Sequence, residues 1–117
     1  MGSPTAAVIG TADLDAALRA LADASRRTIL DEVRERPRAV GEIAHKMEIS
    51  QQAVSHHLSV LRRAGLVSER REGTRHLFAV HTDGFAAVQE FLDGFWPPRL
   101  ATLKAAAEAA ARKGRDV

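Results

Sequence analysis

Seven polar side chains recur along one short stretch of this chain: Gln51, Gln52, Ser55, His56, Ser59, Arg62 and Arg63. If residues 51–64 are helical, a turn of about 100° per residue gathers Gln52, Ser55, His56, Ser59 and Arg63 on one face, with Gln51 and Arg62 at its margin. Val54, Leu58 and Leu61 then fall within a narrow arc on the opposite side. No acidic residue occurs anywhere from Gln51 to Arg63. Amide, hydroxyl, imidazole and guanidinium groups supply donors and acceptors without repelling phosphate, which is the chemistry that engages base edges in a DNA major groove. A merely solvated helix face usually mixes both charge signs, and this one does not. A second basic group, Arg70, Arg71 and Arg75, surrounds Gly73 and could reach phosphates or a minor groove. The plainer alternative for these three is an edge hairpin guarded by charge.

The elements that must hold these groups can be read in chain order. Leu14, Ala17, Leu18 and Leu21 recur at i, i+3, i+4 and i+7, so a first helix is expected from about Thr11. Asp23 suits the N-cap of a second helix, with Ile29, Leu30 and Val33 facing inward and Pro37 enforcing its end, before a short basic loop from Arg36 to Arg38. A short helix from Ala39 to Met47, the turn Glu48-Ile49-Ser50, and a longer helix from Gln51 to Ala64 follow. Ser50 is the N-cap of that longer helix and Gly65 a left-handed C-cap. Ile43 and Met47 are expected to pack the short helix, Ala44 to keep the crossing close, and Ile49 to plug the turn. Two alternating runs, LVSERRE and RHLFAVH, read as a hairpin that packs one face through Val67, Leu77 and Ala79. Phe85, Val88, Phe91, Leu92 and Phe95 mark another helix, broken at Trp96-Pro97-Pro98. A final alanine-rich helix carries Leu100, Leu103, Ala107 and Ala110 on one side.

The expected architecture is mainly α with a small β-hairpin, in the order of a winged helix-turn-helix. Residues 1–10 are expected to be disordered and 11–113 to form a single domain. Within it lie a helix-turn-helix at 39–64, a wing at 66–81 and C-terminal helices at 83–113, followed by a tail at 114–117. With 117 residues the chain has room for one modest core. The stripe on the first helix and the apolar faces of the last two exceed what a short winged helix can cover by itself. A dimer formed through the N- and C-terminal helices is therefore expected, its interface using Leu14, Leu18, Leu21, Trp96, Leu100, Leu103 and Ala107.

Charge placement agrees with a polyanionic partner. Net charge is only +2, but residues 50–80 carry five basic groups against two acidic ones, while the flanking segments are balanced or slightly acidic. The absence of cysteine excludes disulfides, thiolate metal sites and thiol redox chemistry. No stretch approaches the roughly 18 to 20 apolar residues of a membrane span, and the start has no apolar leader, so a cytoplasmic protein with no membrane partner is expected.

The stretch SQQAVSHHLSVLRRAGLVSERREGTRH, with LADASRRTIL upstream, resembles the ArsR/SmtB family of bacterial winged-helix repressors. Two departures stand out. Ala24 replaces the usual helix-starting proline, and Glu48 stands where the turn commonly has glycine. The resemblance implies a homodimer that binds double-stranded DNA at an inverted-repeat operator and represses transcription. The helix at residues 51–64 of each protomer would lie in adjacent major grooves, and the first and last helices would form the interface. Base-edge or adjacent phosphate contact is assigned to Gln51, Gln52, Ser55 and His56, and mainly backbone contact to Ser59, Arg62 and Arg63. Rival readings are a winged helix used for protein contact, a dimer binding DNA without sequence preference, and a metal-responsive repressor.

The metal-sensing variant lacks its ligands. His81 and Asp83 could form one half of a zinc site, but no histidine follows His81, and Glu90 and Glu108 are isolated carboxylates. No metal or cofactor is expected. Nor is a catalytic site: Ser55 beside His56 and His57 looks like a nucleophile with a base, yet neighbours on a helix diverge by about 100°. His57 falls near the core stripe and is expected to be half-buried and hydrogen-bonded. Phe85, Phe91, Phe95 and Trp96 read first as core and second as the lining of a pocket for an unidentified small-molecule effector.

Overall fold

The structure, a computed structural model, describes the backbone of residues 13–116 and the side chains of residues 13–97 and 102–112. The expected disorder at residues 1–10 and the side chain of Leu100 lie outside the described residues. Helix α1 covers residues 13–21 and buries Ala17 and Ala20, leaving Leu14 and Leu21 half-buried and Leu18 exposed. Its stripe is thus divided, with the alanines and Leu21 against the body and Leu18 toward the outside. Helix α2, Ala24–Glu35, starts where Asp23 accepts the Arg26 amide at 3.1 Å. The first two arginines of α2 turn back to the end of α1. Arg26 donates to the carbonyls of Ala20 (2.9 Å) and Arg19 (3.1 Å), and Arg27 to that of Leu21 (2.7 Å). These carbonyls belong to the last turn of α1, so the pair caps one helix from the start of the next.

Helix α2 ends before Pro37, but the basic loop that follows is not a surface loop throughout. Arg38 is buried and bridges β2, exchanging backbone hydrogen bonds with Phe78 at 3.0 and 2.8 Å. Its guanidinium donates to the Glu32 carbonyl and the Glu35 carboxylate, each at 2.7 Å. A buried charge needs such partners, and α2 supplies both.

Helix α3, Val40–Met47, and helix α4, Gln51–Arg63, form the helix-turn-helix. Ile43, Ala44, Val54, Leu58 and Leu61 are buried in a core shared with Ile29, Leu30 and Val33 of α2, while Met47 and Ile49 pack against it half-buried. Each such aliphatic side chain contributes roughly 1.5–3 kcal/mol by burial. Glu48 between the helices is left-handed, with φ 58° and ψ 41°. Gly65 ends α4 at φ 73°, where a side chain would be strained.

Strands β1, Val67–Glu72, and β2, Arg75–Val80, pair antiparallel with Val67 opposite Val80 and Glu72 opposite Arg75. This register puts Val67 on one face with Phe78, and Leu77 with Ala79 on the other. The one-sided packing expected through Val67, Leu77 and Ala79 is therefore replaced. Phe78 joins Val67 in the main core, and Leu77 is buried on the opposite face. The bridge from Arg38 holds Phe78, and pattern alternation alone does not reveal it.

Helix α5, Asp83–Asp93, docks by its first turn on the end of α4, the Gly84 amide donating to the Gly65 carbonyl at 2.9 Å. Helix α6, Pro98–Asp116, continues through residues 114–116, where the sequence suggests a tail. Phe85 and Val88 pack against the core, but Phe91, Leu92, Phe95 and Trp96 are exposed, so the aromatic set is not core in the single chain. The second half of α5 projects past the body that would have covered it. Among the described residues, no helix is long and apolar enough to cross a membrane.

Candidate nucleic-acid interface

Helix α4 sits on the body by Val54, Leu58 and Leu61, which are 0, 1 and 0 % exposed. Its start is pinned by Ser50, whose hydroxyl accepts the Ala53 amide at 3.0 Å. With that arc buried, helical geometry turns the other side to solvent. Gln51, Gln52, Ser55, His56, Ser59, Arg62 and Arg63 are all exposed, as are Arg70, Arg71 and Arg75 on the hairpin. Between α4 and the hairpin runs a groove of about 480 Å³, reached by Ser55, Ser59, Arg62 and Arg63 but not lined by Arg70, Arg71 or Arg75. Val40, Ser55, Leu58, Ser59, Arg62, Arg63, Glu69 and Phe78 line it. Gln51 leans toward α3, since a side-chain carbon on Gly41 would stand 3.6 Å from its Nε2. Arg63 is steadied by the Ser59 carbonyl at 3.4 Å.

Two carboxylates stand among these cations, and neither is suggested by the acid-free run of α4. Glu69 on β1 accepts Arg62 Nη1 at 2.8 Å and also pairs with His76 Nδ1. Glu42 on α3 accepts Arg75 Nη2 at 2.6 Å and Arg36 Nη2 at 2.9 Å, and reaches back to the Ala39 amide at 3.3 Å. That last bond is half of a capping box, because Ala39 has no side-chain oxygen to complete it. The Ala39 amide first, then the hydrogen-bonding Arg36, holds the Glu42 carboxyl below its usual range. The hydrogen bond with His76, aided by the charges of Arg62 and Arg71, does the same for Glu69. Their signals in the sequence are faint: Glu42 is the third residue of α3, and Glu69 directly precedes the arginine pair of the wing.

The remaining expectations separate. His57 is half-buried, but its Nδ1 is buried without the hydrogen bond expected of it. His81 and Asp83 pair with each other, Nε2 to Oδ2 at 3.1 Å. The four aromatics do not share a pocket. Phe85 lines a cavity of about 460 Å³ with Leu21, Arg27, Leu30, Asp31, Arg34 and Val80, whereas Trp96 lies in a separate depression beside Lys104. Of the interface candidates, Leu18, Trp96, Leu103 and Ala107 are exposed and Leu14 and Leu21 half-buried.

Residues 23–69 match the family model described as bacterial regulatory protein, arsR family. The chain is 45% identical over 82 residues to the HTH-type transcriptional regulator Rv2034 of Mycobacterium tuberculosis, an alignment covering 70% of this chain and 77% of the relative. It is 34% identical over 64 residues to the transcriptional repressor SdpR of Bacillus subtilis, covering 55% of this chain and 71% of the repressor. Among solved structures it is similar to the homodimeric winged helix-turn-helix DNA-binding domain of Mb0332 from Mycobacterium bovis, at a TM-score of 0.59 and 33% identity, covering 80% of this chain and 87% of that one.

Proposed function

Because the chain belongs to the ArsR family of bacterial regulatory proteins and is a DNA-binding transcriptional regulator, we propose that it acts as a homodimeric repressor on an inverted-repeat operator. In this reading α4 of each protomer enters a major groove, and two-fold symmetry sets the half-sites about one helical turn apart. Gln51, Gln52, Ser55 and His56 meet base edges or adjacent phosphates. Ser59, Arg62 and Arg63 meet mainly the backbone, while Arg70, Arg71 and Arg75 hold phosphates or the minor groove beside it. The observation that carries the reading is the polar, acid-free face of α4 held outward by a fully buried arc.

Dimerisation is supported by what the chain leaves uncovered. Leu18, Phe91, Leu92, Phe95, Trp96 and Leu103 are all more than 40 % exposed, a large apolar area for a lone winged helix, and the similar Mb0332 domain is homodimeric. Repression would follow from a dimer seated on promoter DNA in place of polymerase.

Selection of bound fragments from a random duplex pool, followed by competition between the selected duplex and random DNA, tests the specificity. A selected site with two-fold symmetry and a preference of at least about a thousandfold is the expected result. Equal affinities remove the operator. Sedimentation of the wild type and of Leu103→Glu tests the assembly, with a dimer expected to be weakened by the buried charge.

A further inference from the structure

Two of the exposed arginines, one on α4 and one on the wing, are not free cations. Arg62 and Arg75 are 60 and 59 % exposed at the side chain, whereas Glu69 and Glu42 are 24 and 28 % exposed. Each carboxylate is recessed and each guanidinium stands in front of it. Each carboxylate also has a further partner, Glu69 in His76 and Glu42 in Arg36 and the Ala39 amide. Both pairs span separate elements, Arg62–Glu69 joining α4 to the wing and Arg75–Glu42 joining the wing to α3.

We propose that Glu42 and Glu69 are specificity-determining residues: they aim Arg75 and Arg62 while neutralising them against indiscriminate phosphate. This rests on the DNA-binding reading above and deepens it. A guanidinium has five donors, and a single contact to a carboxylate leaves others for a phosphate arriving from the front. A phosphate that approaches the Arg62–Glu69 pair meets little net charge, and at Glu42, shared by Arg36 and Arg75, it meets one positive charge in place of two, so in both places it gains less from charge alone. On the correct site, contacts from Gln52, Ser55 and His56 bring the duplex close enough for directional hydrogen bonds to the pre-aimed arginines. On random DNA those contacts are missing and the carboxylates keep residence short.

The experiment is a salt titration of Glu69→Gln, Glu42→Gln and Glu69→Asp, using fluorescence anisotropy with a random duplex and with the duplex selected by the wild type. Glutamine retains the size of the side chain and, at position 42, the capping acceptor for Ala39. Each glutamine variant should bind random DNA about three- to tenfold more tightly at low salt, with the slope of log K against log salt steeper by up to about 0.9 for the arginine it frees. The selected duplex should gain less, so the ratio of specific to random affinity narrows. Glu69→Asp, which keeps the charge, should stay with the wild type on random DNA. Unchanged random-DNA affinity and slope in both glutamine variants overturns the inference, as does equal weakening on both duplexes. A wild type that fails to bind random DNA and selects no duplex from the pool overturns the DNA-binding reading itself, a result distinct from either.

Discussion

Replacing Glu48 by glycine should stabilise the protein, and the backbone predicts by how much. Glu48 has φ 58° and ψ 41°, a conformation that costs an L-residue roughly 1–2 kcal/mol. It persists because the turn between α3 and α4 demands it: the Glu48 and Ile49 amides return to the carbonyls of His45 and Ala44 at 3.3 and 3.2 Å. Glycine keeps those backbone bonds and removes the strain, but its looser unfolded chain gives back about 0.4–1 kcal/mol. The midpoints of the two ranges leave a net gain of about 0.8 kcal/mol, or about 2–5 °C in Tm for a chain of this size. Glu48→Ala is the discriminating control, since alanine stays strained at positive φ and should leave Tm nearly unchanged. Both variants are compared with the wild type by thermal circular dichroism at one protomer concentration, because dimerisation would make Tm concentration-dependent. If alanine raises Tm as far as glycine does, the gain comes from losing an exposed acid and the backbone argument is wrong. If glycine lowers Tm, the turn depends on the Glu48 side chain.

Gly84→Ala should destabilise by about 1–3 kcal/mol in urea titrations, because its new carbon would stand 2.4 Å from the Ala64 carbonyl oxygen and 2.7 Å from Leu66 Cδ2. A neutral result would mean that α5 can lift off the end of α4 at no cost. Arg71→Ala should lower the salt slope of binding to any duplex by about 0.9, and by more than Arg75→Ala does, since Glu42 already occupies Arg75. Equal slopes for the two would count against that difference. Acid should weaken the fold through Glu42 and Glu69. Both carboxyls are lowered in the folded state, so their contribution is complete above the ordinary value of 4.5 and is lost as pH falls through the lowered values. Urea midpoints at pH 7 and pH 3 should therefore converge more closely in the Glu42→Gln, Glu69→Gln double variant than in the wild type, and an unchanged gap would assign the acid loss elsewhere.

What could be read from sequence was whatever depends on neighbours along the chain. Asp23 and Ser50 as caps, the buried arc of Val54, Leu58 and Leu61, and Gly65 at the end of α4 follow from helical period and cap chemistry acting within a few residues. The features that escaped are those made between separate elements. Arg38 reads as one more loop cation until β2, forty residues later, arrives beside it and its backbone completes the bridge to Phe78. Arg26 and Arg27 read as a basic pair on α2 until the end of α1 is seen to need their donors. The same limit applies to the interface. Its cations form a local pattern on one helix and one hairpin, so they were visible. Glu42 meets Arg75 across 33 residues, and their encounter depends on how the wing folds over α3. Charge read along the chain therefore overstates the positive character of the groove. Folding sets Glu69 against Arg62 and Glu42 against Arg75, and under the proposal above selectivity toward DNA follows from the balance between those carboxylates and phosphate.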